Sequence, residues 1–428
     1  MRATDVTADH RLRSLLVRAD ARWVLWAGLL GHAIVAAFCI WQPTVHLGDF
    51  HRYWALATSP GRAYIDYPAE YPPGALLLFT GIAAVTSGPH AFHAVLMAAN
   101  LAADAAIVAV LALTWGTAAA ATYIWIGLPI LSLLLFRFDL WPMAMVTAAI
   151  ALWTRGRPRL SAVWLAVAVA VKLWPLPLAV LLLAERPGEA SERAPDSVPG
   201  PVRRLVPGLL PSASIVAAVS AFAALLALLG VGWVAWSGFS GITDVLTFRG
   251  ATGWDIESSV GSAWHLLEPA SKRLESGAVR VGHSIPLLSV AMFVVSMPVA
   301  AWAIWRGAHT RRIGTGWVAG LGAILCCSAL LSPQFLGWLL PAAAIAWAEG
   351  DRRTARAVAG LVAWTVFYRM LHTQQVPGLV FLRNLAFITI TLQALLTLLP
   401  AYVLGEQAAD QAEPGHDRLV FRFEPEMP

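Results

Sequence analysis

Long apolar blocks alternate along this chain with short, arginine-rich breaks. Residues 23–45, 105–136, 205–243, 313–348 and 384–405 contain no Asp, Glu, Lys or Arg. A bilayer span needs roughly 20 apolar residues, so several of these blocks hold a span and its turn. Finer division gives apolar segments at 23–42, 71–88, 90–115, 117–136, 140–153, 160–184, 208–232, 286–305, 314–332, 335–348, 357–371 and 380–404. The pattern predicts an all-α fold, a polytopic transmembrane helix bundle of about 10–13 spans. Two segments are irregular. Segment 71–88 is short and opens on Tyr71-Pro72-Pro73, and segment 160–184 is interrupted by Lys172-Leu173-Trp174-Pro175-Leu176-Pro177. Both are expected to be broken or re-entrant, with freed backbone groups turned to protein or to a cavity.

The polar breaks carry orientation. Arg155, Arg157 and Arg159 form one basic loop, Arg203 and Arg204 a second, Arg306, Arg311 and Arg312 a third, and Arg352, Arg353 and Arg356 a fourth. With the arginines of the N-terminal tail they are expected on the cytoplasmic side. The opposite side then carries loop 43–70, the turn near 136–139, the long loop 233–285, the turn around 332–335 and residues 372–379, with short interfacial helices. The domain reading is a cytoplasmic tail over 1–22, a transmembrane domain over 23–404 and a disordered cytoplasmic tail over 405–428. The polar stretch 185–204 reads as a flexible cytoplasmic loop. The N-terminal tail is polar and Arg-rich, so the first span is expected to be an uncleaved anchor in the plasma membrane.

Composition strengthens this picture. The chain is 58% hydrophobic and 13% charged, against about 25% charged in soluble domains. Its net charge of +5 resides in loop arginines, which speaks for membrane orientation and against nucleic acid. Cys39, Cys326 and Cys327 lie in apolar segments, so neither a disulfide nor a thiolate metal site is expected. The absence of a Walker motif, a GxGxxG fingerprint and an HExxH helix counts against an ATPase, a Rossmann enzyme and a zinc protease.

Six constellations could carry chemistry, and each has a plainer reading. In Gly48-Asp49-Phe50-His51-Arg52-Tyr53-Trp54, a part-desolvated Asp49 could take a proton from a sugar hydroxyl, or simply cap an interfacial helix. Asp66 to Pro73, with Glu70 and Tyr71, suits sugar binding or a rigid turn. Arg137 and Asp139, two residues apart between apolar segments, serve a polar cavity or form an ordinary interfacial pair. Lys172 is costly in apolar surroundings without an anion; a lipid phosphate would supply one, and snorkelling is the alternative. Residues 248–259, with Arg249, Trp254 and Glu257, have the mixture of a binding loop. Leu331-Ser332-Pro333-Gln334 is a helix start with a polar mouth. Arg369, His372 and Arg383 add polar groups near another outer turn. Asp104, one turn after Asn100, is expected to hydrogen-bond within the bundle.

In order, these pieces resemble the C-type glycosyltransferases, and family 87 most closely, which includes polyprenol-phosphate-mannose-dependent mannosyltransferases of actinobacteria. The resemblance rests on Asp49 after the first span, Tyr71-Pro72-Pro73 opening the next segment, Lys172 to Pro175, Ile256-Glu257-Ser258 and Leu331-Ser332-Pro333. It implies a polyprenyl-phosphate sugar donor, most often of mannose, an envelope glycolipid or glycan as acceptor, and inverting transfer with Asp49 as base on the non-cytoplasmic face. Gln334 and Phe335 stand where some members carry histidines, which leaves sugar and acceptor open. The physical chemistry agrees. The lipid phosphate is already a good leaving group, so cations to steady its charge suffice, and no metal or other cofactor is required. An arabinofuranosyltransferase of the same fold and a lipid-linked-sugar transporter or flippase are the competing readings; no two-fold repeat supports the transporter.

Overall fold

The computed structural model describes residues 23–40, 47–184, 212–246, 252–275, 278–283, 286–370 and 376–400. Helix α1 (Trp23–Ile40) is followed by the short α2 (Leu47–Thr58) and α3 (Pro73–Ala84), then by α4 (Pro89–Trp115) and α5 (Thr117–Leu135), which tightens to a 3₁₀ turn at Leu128–Ile130. Next come α6 (Leu140–Thr154), α7 (Pro158–Val171), a 3₁₀ run over Leu176–Leu183, α8 (Ala213–Ser237) and α9 (Ser240–Leu246). Strand β1 (Trp254–Asp255), α10 (Ser259–Leu267), β2 (Arg273–Glu275) and β3 (Ala278–Val281) interrupt the helices. The chain closes with α11 (Pro286–His309), α12 (Ile313–Cys326), a 3₁₀ turn at Pro333–Leu339, α13 (Leu340–Ala348), α14 (Arg352–Met370) and α15 (Pro377–Thr397).

This is an all-α polytopic bundle. Among the described residues six helices, α1, α4, α5, α8, α11 and α15, are long and apolar enough to cross a bilayer. The two irregular segments behave as their prolines suggest. Helix α3 has 12 residues, a rise of about 18 Å, and cannot cross alone a hydrocarbon core of about 30 Å. Helix α7 stops at Val171, and Lys172 is fully extended at φ −156°, ψ 137°. Proline at the first turn starts α3, α4, α7 and α15, where its missing N–H costs nothing. Serine caps α8 and α10: Ser212 accepts from the Ile215 N–H and Ser258 from the Gly261 N–H.

Packing between helices rests on small residues and a few buried polar links, as expected where lipid removes most of the hydrophobic driving force. A Cβ at Gly316 would lie 2.8 Å from the Ala303 carbonyl, and one at Gly320 would lie 3.0 Å from that of Ala300. These glycines let α11 close on α12. Asp104 of α4 does bond within the bundle, but not to Asn100. It accepts from the Tyr123 hydroxyl at 2.7 Å and meets His32 Nδ1 at 2.9 Å, tying α1 and α5 together. Asn100 instead donates to the freed carbonyls of Leu135 and Arg137, where α5 ends.

The all-α expectation needs one addition, a three-stranded antiparallel sheet in order β1-β3-β2. Trp254 faces Val281 and Asp255 faces Arg280 across β1 and β3, while Arg273 faces Arg280 across β2 and β3. Trp254, Ile256 and Val281 form a small core against Val260, Met292 and Ala329. The Asp255 N–H bonds to the Ala329 carbonyl at 3.0 Å, which seats the sheet on the bundle.

Candidate functional site

The helix breaks at Phe136–Asp139, at Lys172 and at Ser332–Pro333 converge with α2 and the sheet on one cavity of about 1090 Å³. Asp49, Arg52 and Tyr53 reach it because they sit at i, i+3 and i+4 of α2 and so share one face. Burial of Phe50 and Tyr53 fixes that helix; the Tyr53 ring stacks on Phe79 at 4.6 Å and meets Tyr71 and Phe138 edge-on. The Asp49 Oδ2 atom pairs closely with Arg137, while Oδ1 has only a 4.0 Å approach to Arg52 among the described residues. Arg52 pairs closely with Glu70 and stands 5.6 Å over the Tyr71 ring.

The deep wall is a caged ion pair. Asp139 is 1% exposed; its Oδ1 accepts from Lys172 Nζ at 2.5 Å and from Trp338 Nε1 at 2.6 Å. The rings of Phe138, Trp338 and Phe335 lie 4.7, 5.2 and 5.5 Å from the same ammonium. Trp174 stacks on Trp338 at 5.0 Å. Lys172, expected to need a lipid phosphate, therefore has a protein carboxylate 33 residues away in sequence. Gln334 lines the cavity beside this wall and accepts from the Ser332 hydroxyl.

The sheet supplies the remaining wall. Glu257 is clamped by helices α14 and α15: its carboxylate accepts from the Tyr368 hydroxyl at 2.6 Å and from Arg369 at 3.0 Å. Its carbonyl accepts from Arg383 at 2.7 Å and Asn384 at 3.1 Å. Asp255, Lys272 and Arg280 also line the cavity. Burial pushes the Asp255 carboxyl up to about 7, with Glu257 adding to the rise and the Glu257 N–H and Arg280 drawing it back.

Of the residues singled out from sequence, Asp49, Arg52, Glu70, Tyr71, Arg137, Asp139, Lys172, Glu257, Gln334 and Arg369 line this one cavity. Four do not. His51 is exposed against the His93 ring, and Asp66 is exposed and accepts the Arg62 N–H. Trp254 packs the core of the sheet, and Arg383 lies fully buried behind Glu257. Arg249 and His372 lie outside the described residues. Sequence reasoning passed over Asp255, Lys272 and Arg280. Asp255 lay within a motif already under scrutiny, whereas nothing around Lys272 or Arg280 resembles a motif. Among the described residues no group of three or more His, Cys, Asp or Glu side chains is placed to hold a metal ion.

The family model of glycosyltransferase family 87 matches residues 70–333, more than half of the 428-residue chain. No curated protein and no solved structure matches the chain.

Proposed function

Because this chain belongs to glycosyltransferase family 87, we propose that it moves a sugar, mannose foremost, from a polyprenyl-phosphate donor to a hydroxyl of an envelope glycolipid or glycan. The transfer takes place on the non-cytoplasmic face, where the arginine-poor loops lie. The observation that carries this reading is the meeting of motifs from Asp49 to Arg369 around a single cavity of about 1090 Å³.

Asp49 is the base. Arg137 holds one of its oxygens and leaves Oδ1 to accept the proton of the acceptor hydroxyl. The hydroxyl oxygen attacks the anomeric carbon, the carbon–oxygen bond to phosphate breaks with its electron pair, and lipid phosphate departs. Attack opposite the leaving group inverts the anomeric centre. The other carboxylates are less suited. Glu70 is paired with Arg52, Asp139 with Lys172 and Trp338, and Glu257 with Arg369 and Tyr368. Half-buried Tyr71 and Phe335 give the cavity aromatic surface for a sugar ring.

The test is transfer from a radiolabelled polyprenyl-phosphate mannose, by protein in membranes, to endogenous lipids, with the anomeric configuration of the product read by NMR. A product of inverted configuration supports the proposal. Retained configuration refutes the single-base mechanism, and movement of donor across the bilayer without any product would favour the flippase.

A further inference from the structure

The charges around the cavity divide it into two unequal parts. Arg137 is matched by Asp49, Arg52 by Glu70, Lys172 by Asp139 and Arg369 by Glu257. The two other basic groups of the lining, Lys272 and Arg280, both come from the sheet region. Arg280 is 3% exposed. Its Nη1–H bonds to the Gly253 carbonyl at 2.6 Å, and its buried Nε–H has no partner among the described residues. Its register partner Asp255, a carboxyl raised to about 7, offsets it only in part near neutral pH. A buried guanidinium with a spare donor is expensive unless an anion completes it.

Residue choice points the same way. The chain has two lysines, Lys172 and Lys272, and both line this cavity; arginine fills every other basic position. Lys172 is enclosed by Asp139 and three rings, which leaves its ammonium little room for a phosphoryl group. Lys272 is exposed and free to swing as a point charge, while Arg280 presents a planar fork suited to phosphate oxygens.

We propose that the sheet carries the phosphate subsite: Arg280 and Lys272 receive the phosphate of the lipid-linked donor, and Lys172 acts as a positioning residue that holds Asp139 and Trp338 in the deep wall. This rests on the donor class proposed above. It places the leaving group on the sheet wall, so that negative charge developing on the lipid phosphate meets two cations not already neutralised by a paired carboxylate.

Two lysines make the test simple. Full-length protein in nanodiscs is acetylated with an N-hydroxysuccinimide ester, and each lysine is followed by mass spectrometry with farnesyl phosphate as probe and farnesol as the uncharged control. Farnesyl phosphate is expected to slow acetylation of Lys272 by about tenfold or more, the scale of a charge-assisted contact, and farnesol to leave it unchanged. Arg280→Gln should weaken farnesyl phosphate binding by about tenfold or more, with Arg280→Lys recovering part of the loss. Protection of Lys172 with none at Lys272 overturns the proposal, as does unchanged binding in a folded Arg280→Gln protein; neither touches the glycosyltransferase reading. If wild-type protein binds farnesol and farnesyl phosphate equally, the phosphate-linked donor falls together with the subsite. The labelling of wild-type protein decides the matter even where Arg280→Gln does not fold.

Discussion

Asn at position 49 removes the proton acceptor while keeping its shape, and the consequences can be worked out before measurement. Loss of a general base costs about 10²–10⁴ in rate, or roughly 2.7–5.5 kcal/mol of transition-state stabilisation at 1.36 kcal/mol per tenfold. The substitution also separates Asp49 from Arg137. Their side chains are 18% and 31% exposed, so water reaches both. A pair of that kind is worth about 1 kcal/mol or less, and the protein should fold and reach the membrane. The unmatched Arg137 leaves the cavity one unit more positive, which favours an anionic donor. The signature is therefore a kcat reduced about 100-fold or more with a donor KM that is unchanged or lower. The assay is transfer from radiolabelled polyprenyl-phosphate mannose over a range of donor concentrations, in membranes matched for protein. Retention of more than about a tenth of wild-type kcat, against that expected loss, would show that Asp49 only caps α2. A raised KM at unchanged kcat would make it a binding group. In either case Asp255, the cavity acid that stands on the sheet, becomes the next base to test.

Three further outcomes follow from the same geometry. Lys172→Met strands Asp139, whose side chain is 2% exposed; breaking a buried pair costs about 3–5 kcal/mol, so thermal unfolding in detergent should shift down by several degrees and Lys172→Met/Asp139→Asn should recover most of it. An unchanged unfolding temperature in the single variant would deny the pair its role. Affinity for the phosphodiester donor should fall as pH rises through about 7, because Asp255 gains its charge there and then offsets Arg280, while Glu257 and Arg383 also face it and the diester keeps constant charge; Asp255→Asn should flatten the titration. Asn384→Ala removes an amide that bonds the carbonyls of Glu257 and Ser258 and the Ser262 hydroxyl, so hydrogen exchange over residues 254–262 should quicken, and unaltered exchange would show that Arg383 alone holds the sheet.

Much of the fold was readable because lipid imposes a simple code. Uncharged runs gave the long helices, and the proline pairs at Pro72-Pro73 and Pro175–Pro177 marked where helices start late or stop early. The convergence of Asp49, Arg137, Lys172 and Gln334 on one cavity agrees with a rule that polar residues among apolar neighbours must find a shared interior. Partners were not readable. Nothing in the chain states that Lys172 meets Asp139, or that Asp104 meets His32 72 residues earlier, since such pairs depend on how helices lean together. The sheet was invisible for a different reason. Strands of two to four residues are too short to show an alternation, so nothing in the pattern singled out Arg280 or Lys272. Arg383 shows the converse error of scale: a cation near a helix end looked like a ligand group, yet it lies fully buried behind Glu257 and donates to that residue's backbone carbonyl.

The segment shared with the family, residues 70–333, does not coincide with the walls of the cavity. Glu70 and Arg137 lie inside it while their partners Arg52 and Asp49 lie before it, and Glu257 lies inside it while Arg369 lies after it. Three ion pairs thus bridge the edges of the matched segment. A chimaera that replaced only this stretch by one lacking the charges of Glu70, Arg137 and Glu257 would leave Arg52, Asp49 and Arg369 without their partners. Exchange of this segment therefore keeps the charge balance of the cavity only where the incoming stretch supplies the same three charges or α2 and α14 travel with it.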